Sequence, residues 1–399
     1  MYTFDNFVIQ PIVIECNNQT LTVKGMPFWF EFQPDKWKIA GTNITIIEYM
    51  GTEEVGLLYL STPINIEIGK RINDKVYLIH ADFDGLKIQE ETNLEFKSTN
   101  GNMHACGHDM NAAMLFGAAK LLMKYKDKIN GLVKILFQSG EENFIGAKTM
   151  IENKVLENPK VSAGMTCHLF SRGKSGIIVY NRNQTPMSGC VFFRIDVKGI
   201  SCHGALPEYG VDPINIAAHI HLALQTITSR EIKSSEAVTL TIGKFIAGNS
   251  SNAIPDSALM EGSIRAHKEE ILDKIIKRIG EISTNIAKSF NGDATLTITS
   301  RCKVLKNNNE LFDNHTLKNI KELFGDKVLY QTNEFSTGAD DFAEYSDLIP
   351  INYIMIGGGS KEENPAYGNP MHNSKLILNE DVLTEGAALF AYNAMEFTK

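Results

Sequence analysis

Nowhere in this 399-residue sequence is there a run of about 18 apolar residues, the length a helix needs to cross a bilayer. The N-terminus, MYTFDNFVIQ, has no basic stretch followed by an apolar one, so a cytoplasmic protein is expected. Positive charge is in deficit, with 39 Lys and Arg against 47 Asp and Glu and a net charge of −8, which argues against nucleic acid or an anionic membrane as main partner. Cysteine is sparse and scattered, at 16, 106, 167, 190, 202 and 302, which is no disulfide framework. In a reducing compartment such cysteines are packed, metal-bound or catalytic. Internal repeats and low-complexity tracts are also missing. What is present is ordinary globular material, 43% hydrophobic and 22% charged, in a chain long enough for two domains.

Strand and helix patterns alternate through most of the chain, predicting an α/β sheet covered by helices. KVYLI at 75–79, LVKILF at 132–137, VSAGMTC at 161–167 and INYIMI at 351–356 are short apolar runs of the kind buried strands show. Residues 111–125 have helical spacing, with Asp109 a candidate cap. The texture changes near Met187. Strands at 191–198, 237–244, 258–265 and 294–300 and helices at 213–230 and 269–289 follow in the order βαββαβ, the ferredoxin-like pattern. The expected organisation is a catalytic domain with a mixed, mainly parallel sheet in two parts, residues 1–186 and 301–399, interrupted by an inserted domain at 187–300. The N-terminal 70 residues alternate at Phe28–Phe32 and Asn43–Tyr49 and carry no obvious chemistry.

Chemistry-bearing residues cluster where the predicted strands end. His80-Ala81-Asp82-Phe83-Asp84 follows one strand, Glu141-Glu142 another, and His168 closes a third. In open α/β sheets ligands bind in the crevice beyond the carboxyl ends of the strands. Cys106-Gly107-His108 opens a helix and His372 lies in a Gly/Pro-rich loop. Cys, His and Glu are the residue types that hold a borderline-soft divalent ion, and carboxylates can bridge two. A Cys-x-His or a Glu-Glu pair means little alone; joint placement at one sheet edge is the informative feature.

The segments HADFDGL (80–86), NMHACGHDMNAAML (102–115), FQSGEENFIGA (137–147), GISCHGALPEYGVDPINIAAHI (199–220), GNSSNAIPDSALMEGSIR (248–265), TGADDFAEY (337–345) and PMHN (370–373) resemble one family in order and spacing. It is the N-acyl-amino-acid amidohydrolase group (hippurate hydrolases, N-acetyldiaminopimelate deacetylases, auxin-conjugate hydrolases) of the aminoacylase/carboxypeptidase-G metallopeptidase superfamily. The likeness spans about residues 75–399. It implies two divalent metal ions, Zn, Mn, Co or Ni, held by Cys106, His108, Glu142, His168 and His372, with Cys106 bridging or lying between them. It implies Glu141 as general base, Asp84 orienting the site from behind, and His203 stabilising the oxyanion across a dimer. Asn252 and Arg265 would hold the substrate, a small N-acyl amino acid, and the inserted domain would be a lid and dimerisation domain of a homodimer or higher homo-oligomer.

Several positions depart from that pattern. His80 stands for the usual Arg, Gly85 for Ala, Asp340 for Glu in the Glu-Asp-Phe motif, and Glu208 for a second lid histidine, while the usual N-terminal helix with Glu-Thr is not found in residues 1–70. These changes bear on substrate preference more than on metal binding. His80 and His104 are expected to hydrogen-bond beside the site rather than ligate; Asp82 is an alternative ligand. Asp340 is a supporting residue or a helix cap, and Arg265 could instead form an ion pair. His219, His221, His267 and His315 are read as structural or exposed, and Cys167 as a small core residue. Competing functions are a dipeptidase- or carboxypeptidase-like metallopeptidase, an enzyme with Cys106 as nucleophile, and a non-catalytic binding protein.

Overall fold

A computed structural model describes residues 64–326 and 329–399, together with the strand segments Val13–Asn17 (β1), Thr20–Lys24 (β2) and Asn43–Ile46 (β3). The alternation at Phe28–Phe32 lies outside the described residues, as does most of the N-terminal region where the Glu-Thr helix was sought. The chain divides into two compact units. One comprises the described residues up to Gln184 with Lys306–Glu334 and Glu344–Lys399; the other is Thr185–Leu305 with Phe335–Ala343.

The first unit is built on an eight-stranded sheet. Its further strands are Ile64–Gly69 (β4), Val76–Asp82 (β5), Leu132–Gln138 (β6), Ala163–Phe170 (β7) and Ile178–Asn181 (β8), then Leu329–Thr332 (β15) and Ile351–Gly357 (β16), the numbers between belonging to the second unit. The order is β15-β8-β16-β7-β5-β6-β4-β3. Neighbours are parallel from β16 through β7 and β5 to β6, and between β15 and β8, while the remaining pairs are antiparallel. The fold is therefore mixed α/β with a mainly parallel sheet. Every residue of β5 is buried, as expected of a central parallel strand covered on both faces. Helix His108–Lys124 packs on the sheet and against helix Leu383–Phe397, burying Met114, Leu115, Leu121, Leu122, Leu389 and Phe390. The two helices cross closely at Gly386, where a Cβ would fall 1.9 Å from Met114 Sδ. No described helix is long and apolar enough to cross a membrane.

The second unit holds an antiparallel sheet of Gly189–Lys198 (β9), Val238–Ala247 (β11), Ser257–Ala266 (β13) and Asp293–Cys302 (β14) in the order β11-β13-β9-β14. A short ribbon pairs Cys202–His203 (β10) with Ala253–Ile254 (β12). Along β9 burial alternates: Val191, Phe193, Ile195 and Val197 face a core completed by Ile216, Ile220 and Leu224 of helix Pro213–Thr226 and by Leu272, Ile275 and Ile279 of helix Glu269–Ser289. Asp212 caps the first of these helices by accepting from the N–H groups of Ile214 and Asn215. The stretch expected to be helical to residue 230 is α-helix only to Thr226, with a wider π-type turn at Ile227–Glu231.

Three local expectations are corrected. Helix His108–Lys124 begins three residues earlier than its apolar spacing indicated, with Gly107 rather than Asp109 as N-cap; Asp109 sits in the first turn. β5 runs on through His80, Ala81 and Asp82, and β7 runs two residues beyond His168. The apolar run undercounts β5 because its later residues include the polar His80 and Asp82.

Candidate metal centre

The end of β5 delivers Asp84, the turn after β6 delivers Glu141 and Glu142, β7 carries His168, and the loop before helix His108–Lys124 carries Cys106. Gly107 adopts φ +74°, a left-handed conformation that glycine takes at no steric cost, and this turns the chain so that Cys106 and His108 flank one point. His372 is tied to the same loop, its N–H donating to the carbonyl of Ala105 at 2.7 Å.

Three sets of ligand-type atoms converge here, those within each set lying within 4.8 Å of one another: Cys106, His108 and His168; Cys106, Glu142 and His372; and His108, Glu141 and Glu142. Cys106 Sγ is 3.8 Å from His168 Nε2, His372 Nε2 is 3.5 Å from Glu142 Oε1, and His108 Nε2 is 3.9 Å from Glu141 Oε2. Donor atoms about 2.0–2.3 Å from a common tetrahedral ion stand about 3–4 Å apart, so these separations suit shared ions. All five expected ligands and Glu141 thus lie together.

Hydrogen bonds fix how the rings of His168 and His108 are turned. His168 Nδ1 donates to the Leu169 carbonyl at 2.6 Å, which leaves the lone pair on Nε2, the nitrogen facing Cys106. Burial, and then the charge of His108, push the His168 pKa down to about 3, keeping it neutral. His108 Nδ1 lies 3.2 Å from Asp84 Oδ1, and its buried Nε2 has no hydrogen-bond partner among the described residues. Burial works to lower the pKa of His108, but Cys106 and Asp84 outweigh it and raise it well above the ordinary imidazole range. A proton on His108 thus balances the surrounding negative groups, a role a divalent cation could take over on binding, with release of that proton. The orphaned Nε2 and the donor set both fit a metal ion.

Asp84 is fully enclosed. Burial opposes its charge, yet the His108 contact and the Glu142 N–H at 3.1 Å from Oδ2 hold its pKa below the usual value. His104 Nδ1 reaches the Asp84 carbonyl at 3.0 Å, a hydrogen-bonding position beside the site. His80 is buried against Thr166 and Asp82, and Asp82 accepts from Gln138, so neither enters a ligand set.

The other expected site residues belong to the second unit. His203 is exposed at the end of β10, its Nδ1 accepting from the Ala205 N–H at 3.0 Å, so the neutral ring carries its proton on Nε2 as a donor. Asn252 is exposed and accepts from the Ser250 hydroxyl at 2.5 Å. Arg265 Nη1 donates to the Thr337 carbonyl at 2.7 Å rather than to a carboxylate. Asp340 accepts from the Phe342 N–H at 2.8 Å, a turn-capping contact.

Sequence reasoning missed Asn111, whose Oδ1 accepts the N–H of Leu169 and so joins the helix bearing His108 to the strand bearing His168. It also missed Gln138, Tyr345 and Thr166, which lie within or near the motifs but pair with partners far away in the chain. Only a buried polar residue at a core position would have flagged them.

A profile described as Peptidase family M20/M25/M40 matches residues 78–396. Hippurate hydrolase of Campylobacter jejuni is 31% identical over 363 residues, covering 91% of this chain and 91% of its own. N-acetylcysteine deacetylase of Bacillus subtilis is 31% identical over 357 residues, covering 88% of this chain and 90% of its own. Among solved structures, the Bacillus subtilis YXEP protein, a dinuclear metal-binding peptidase of family M20, superposes with a TM-score of 0.68 at 29% identity, covering 86% of this chain and 87% of its own. With the profile spanning most of its length and full-length relatives at this level of identity, the chain belongs to peptidase family M20/M25/M40.

Proposed function

We propose that this chain is a dinuclear metal-dependent amidohydrolase that cleaves the amide bond of an N-acyl amino acid. The observation that carries the reading is the convergence of three ligand sets sharing Cys106, His108 and Glu142 on one sheet edge. Hippurate and N-acetylcysteine, in the names of two relatives, are both N-acylated amino acids, which supports the substrate class.

In this assignment Cys106, His108, Glu142, His168 and His372 would hold two divalent ions. Bound there, such ions would supply Lewis acidity and make a water more acidic at neutral pH. Glu141 takes a proton from the attacking water as its oxygen bonds to the acyl carbon, and delivers it to the amine nitrogen as the C–N bond breaks. Asp84 holds the His108 ring with its Nε2 lone pair turned inward. His203, with its proton on Nε2, donates to the developing oxyanion from a partner copy in a homodimer. Asn252 and Arg265 bind the carboxylate of the amino acid. The second unit, with its βαββαβ order, serves as lid and dimerisation domain.

A thiol mechanism is the second reading, favoured by Cys106 Sγ lying 3.8 Å from His168 Nε2. Metal-stripped and Zn-, Mn-, Co- or Ni-reconstituted protein, assayed on acetyl-, benzoyl- and fatty-acyl amino acids, separates the two. Activity that disappears on stripping and returns with a metal supports the amidohydrolase; full activity after thorough stripping overturns it.

A further inference from the structure

Behind the site runs a chain of buried polar side chains that the proposed mechanism does not use. The Tyr345 hydroxyl donates to Gln138 Oε1 at 2.8 Å, and Gln138 Nε2 donates to Asp82 Oδ1 at 2.9 Å. His80 Nε2 lies 3.5 Å from the same Asp82 oxygen, and His80 Nδ1 lies 3.4 Å from Thr166 Oγ1. All five residues are buried. Four of them lie on three neighbouring strands, Asp82 paired with Gln138 between β5 and β6 and, two residues earlier on β5, His80 with Thr166 of β7, while Tyr345 comes from helix Ala343–Ser346. Each strand then leads within a few residues to a site group: Asp82 to Asp84, Gln138 to Glu141 and Glu142, Thr166 to His168.

We propose that Gln138 is a positioning residue that holds the Glu141–Glu142 turn in register with the strand end bearing Asp84. Its amide serves two partners at once: the NH2 group faces Asp82 Oδ1 and Oε1 takes the Tyr345 hydroxyl. The chain that follows the two glutamates packs directly on this amide: a Cβ at Gly146 would fall 2.8 Å from Gln138 Nε2 and 2.4 Å from the Ser139 carbonyl. A carboxyl group at 138 has no N–H to give Asp82, and two adjacent buried carboxyls either repel or compete for one proton, so the bond that ties β6 to β5 is lost. The strand ends would then part, and the Glu142–Asp84 bond with them.

This inference rests on the metal-centre reading. The experiment is calorimetric titration of Zn2+ into metal-free protein, with melting curves, for the wild type, Gln138→Glu and Tyr345→Phe. Gln138→Glu is expected to weaken uptake of at least one ion about 10- to 100-fold, the usual scale for losing a residue that supports a ligand. Its kcat should fall while KM stays near the wild-type value, and Tyr345→Phe should shift affinity the same way by a smaller factor. A residue that served stability alone would lower the melting temperature and leave the affinity of the folded protein unchanged. Wild-type affinity in both variants overturns the inference, and Tyr345→Phe decides alone if Gln138→Glu does not fold. Failure of the wild type to take up any ion overturns the metal-centre reading, and this inference with it.

Discussion

Asp84 holds His108 by two oxygens: its side-chain Oδ1 and its backbone carbonyl each lie 3.2 Å from Nδ1 of the buried imidazole. That contact keeps the Nδ1 proton in place and turns Nε2 toward the cluster of Cys106, Glu141 and Glu142, so a residue that need not touch a metal would govern one that does.

Asp84→Asn keeps the size of the side chain but removes its charge and one acceptor. Metal affinity or turnover should fall about 10- to 100-fold while the protein stays folded. Titration of metal into the stripped variant measures this, and wild-type affinity together with wild-type turnover would remove Asp84 from its orienting role.

The two adjacent glutamates are predicted to separate cleanly. Glu141→Gln should retain the full metal content and lose turnover by about 10²- to 10⁴-fold, as expected for a proton carrier. Glu142→Gln should lose bound metal. Elemental analysis of the two purified variants decides the matter, and metal loss from Glu141→Gln would mean the roles are reversed.

His203→Ala should lower kcat by about 10²- to 10³-fold, the scale for removing one donor to an oxyanion, with metal content unchanged. If the variant turned over at the wild-type rate, the oxyanion assignment would fail.

Acid sensitivity is expected at a point remote from the site. His315 packs edge-on to Tyr77 and Phe397, and its Nε2 lies 2.9 Å from the Asn393 carbonyl. Burial is the leading effect on its pKa, which lies below the ordinary value despite that hydrogen bond. The unfolded chain therefore binds this proton more readily. Its contribution to stability is present above about pH 6.5 and is lost as pH falls through the folded-state pKa. Denaturant midpoints measured downward from pH 7.5 should drop, and His315→Gln should lessen that slope. An unchanged slope in the variant would rule out His315 as a source.

Much of the fold was legible because burial leaves periodic traces. The apolar runs at 132–137 and 351–356 match β6 and β16 almost to the residue, and the helix at 269–289 ends where its amphipathic pattern ends. The start of helix His108–Lys124 was not legible, because Gly107 caps it through a left-handed backbone rather than through a side chain that names itself.

Ligand chemistry was likewise written in residue types: the thiol, imidazoles and carboxylates at 106, 108, 141, 142, 168 and 372 were picked out by kind and by their place near predicted strand ends. That they meet within 4.8 Å in three sets depends on the parallel register of β5, β6 and β7, which no local pattern encodes. The same holds for Tyr345 and Gln138, paired across 207 residues of sequence. By itself, then, the sequence determined the elements and the chemical kinds of the site residues, because backbone preference and side-chain chemistry are local. Only the tertiary structure decided which nitrogen of His168 faces Cys106, which glutamine bridges the strands and which aspartate holds His108, because hydrogen-bond partners are selected by proximity in space and enforced by the cost of leaving a buried polar group unpaired.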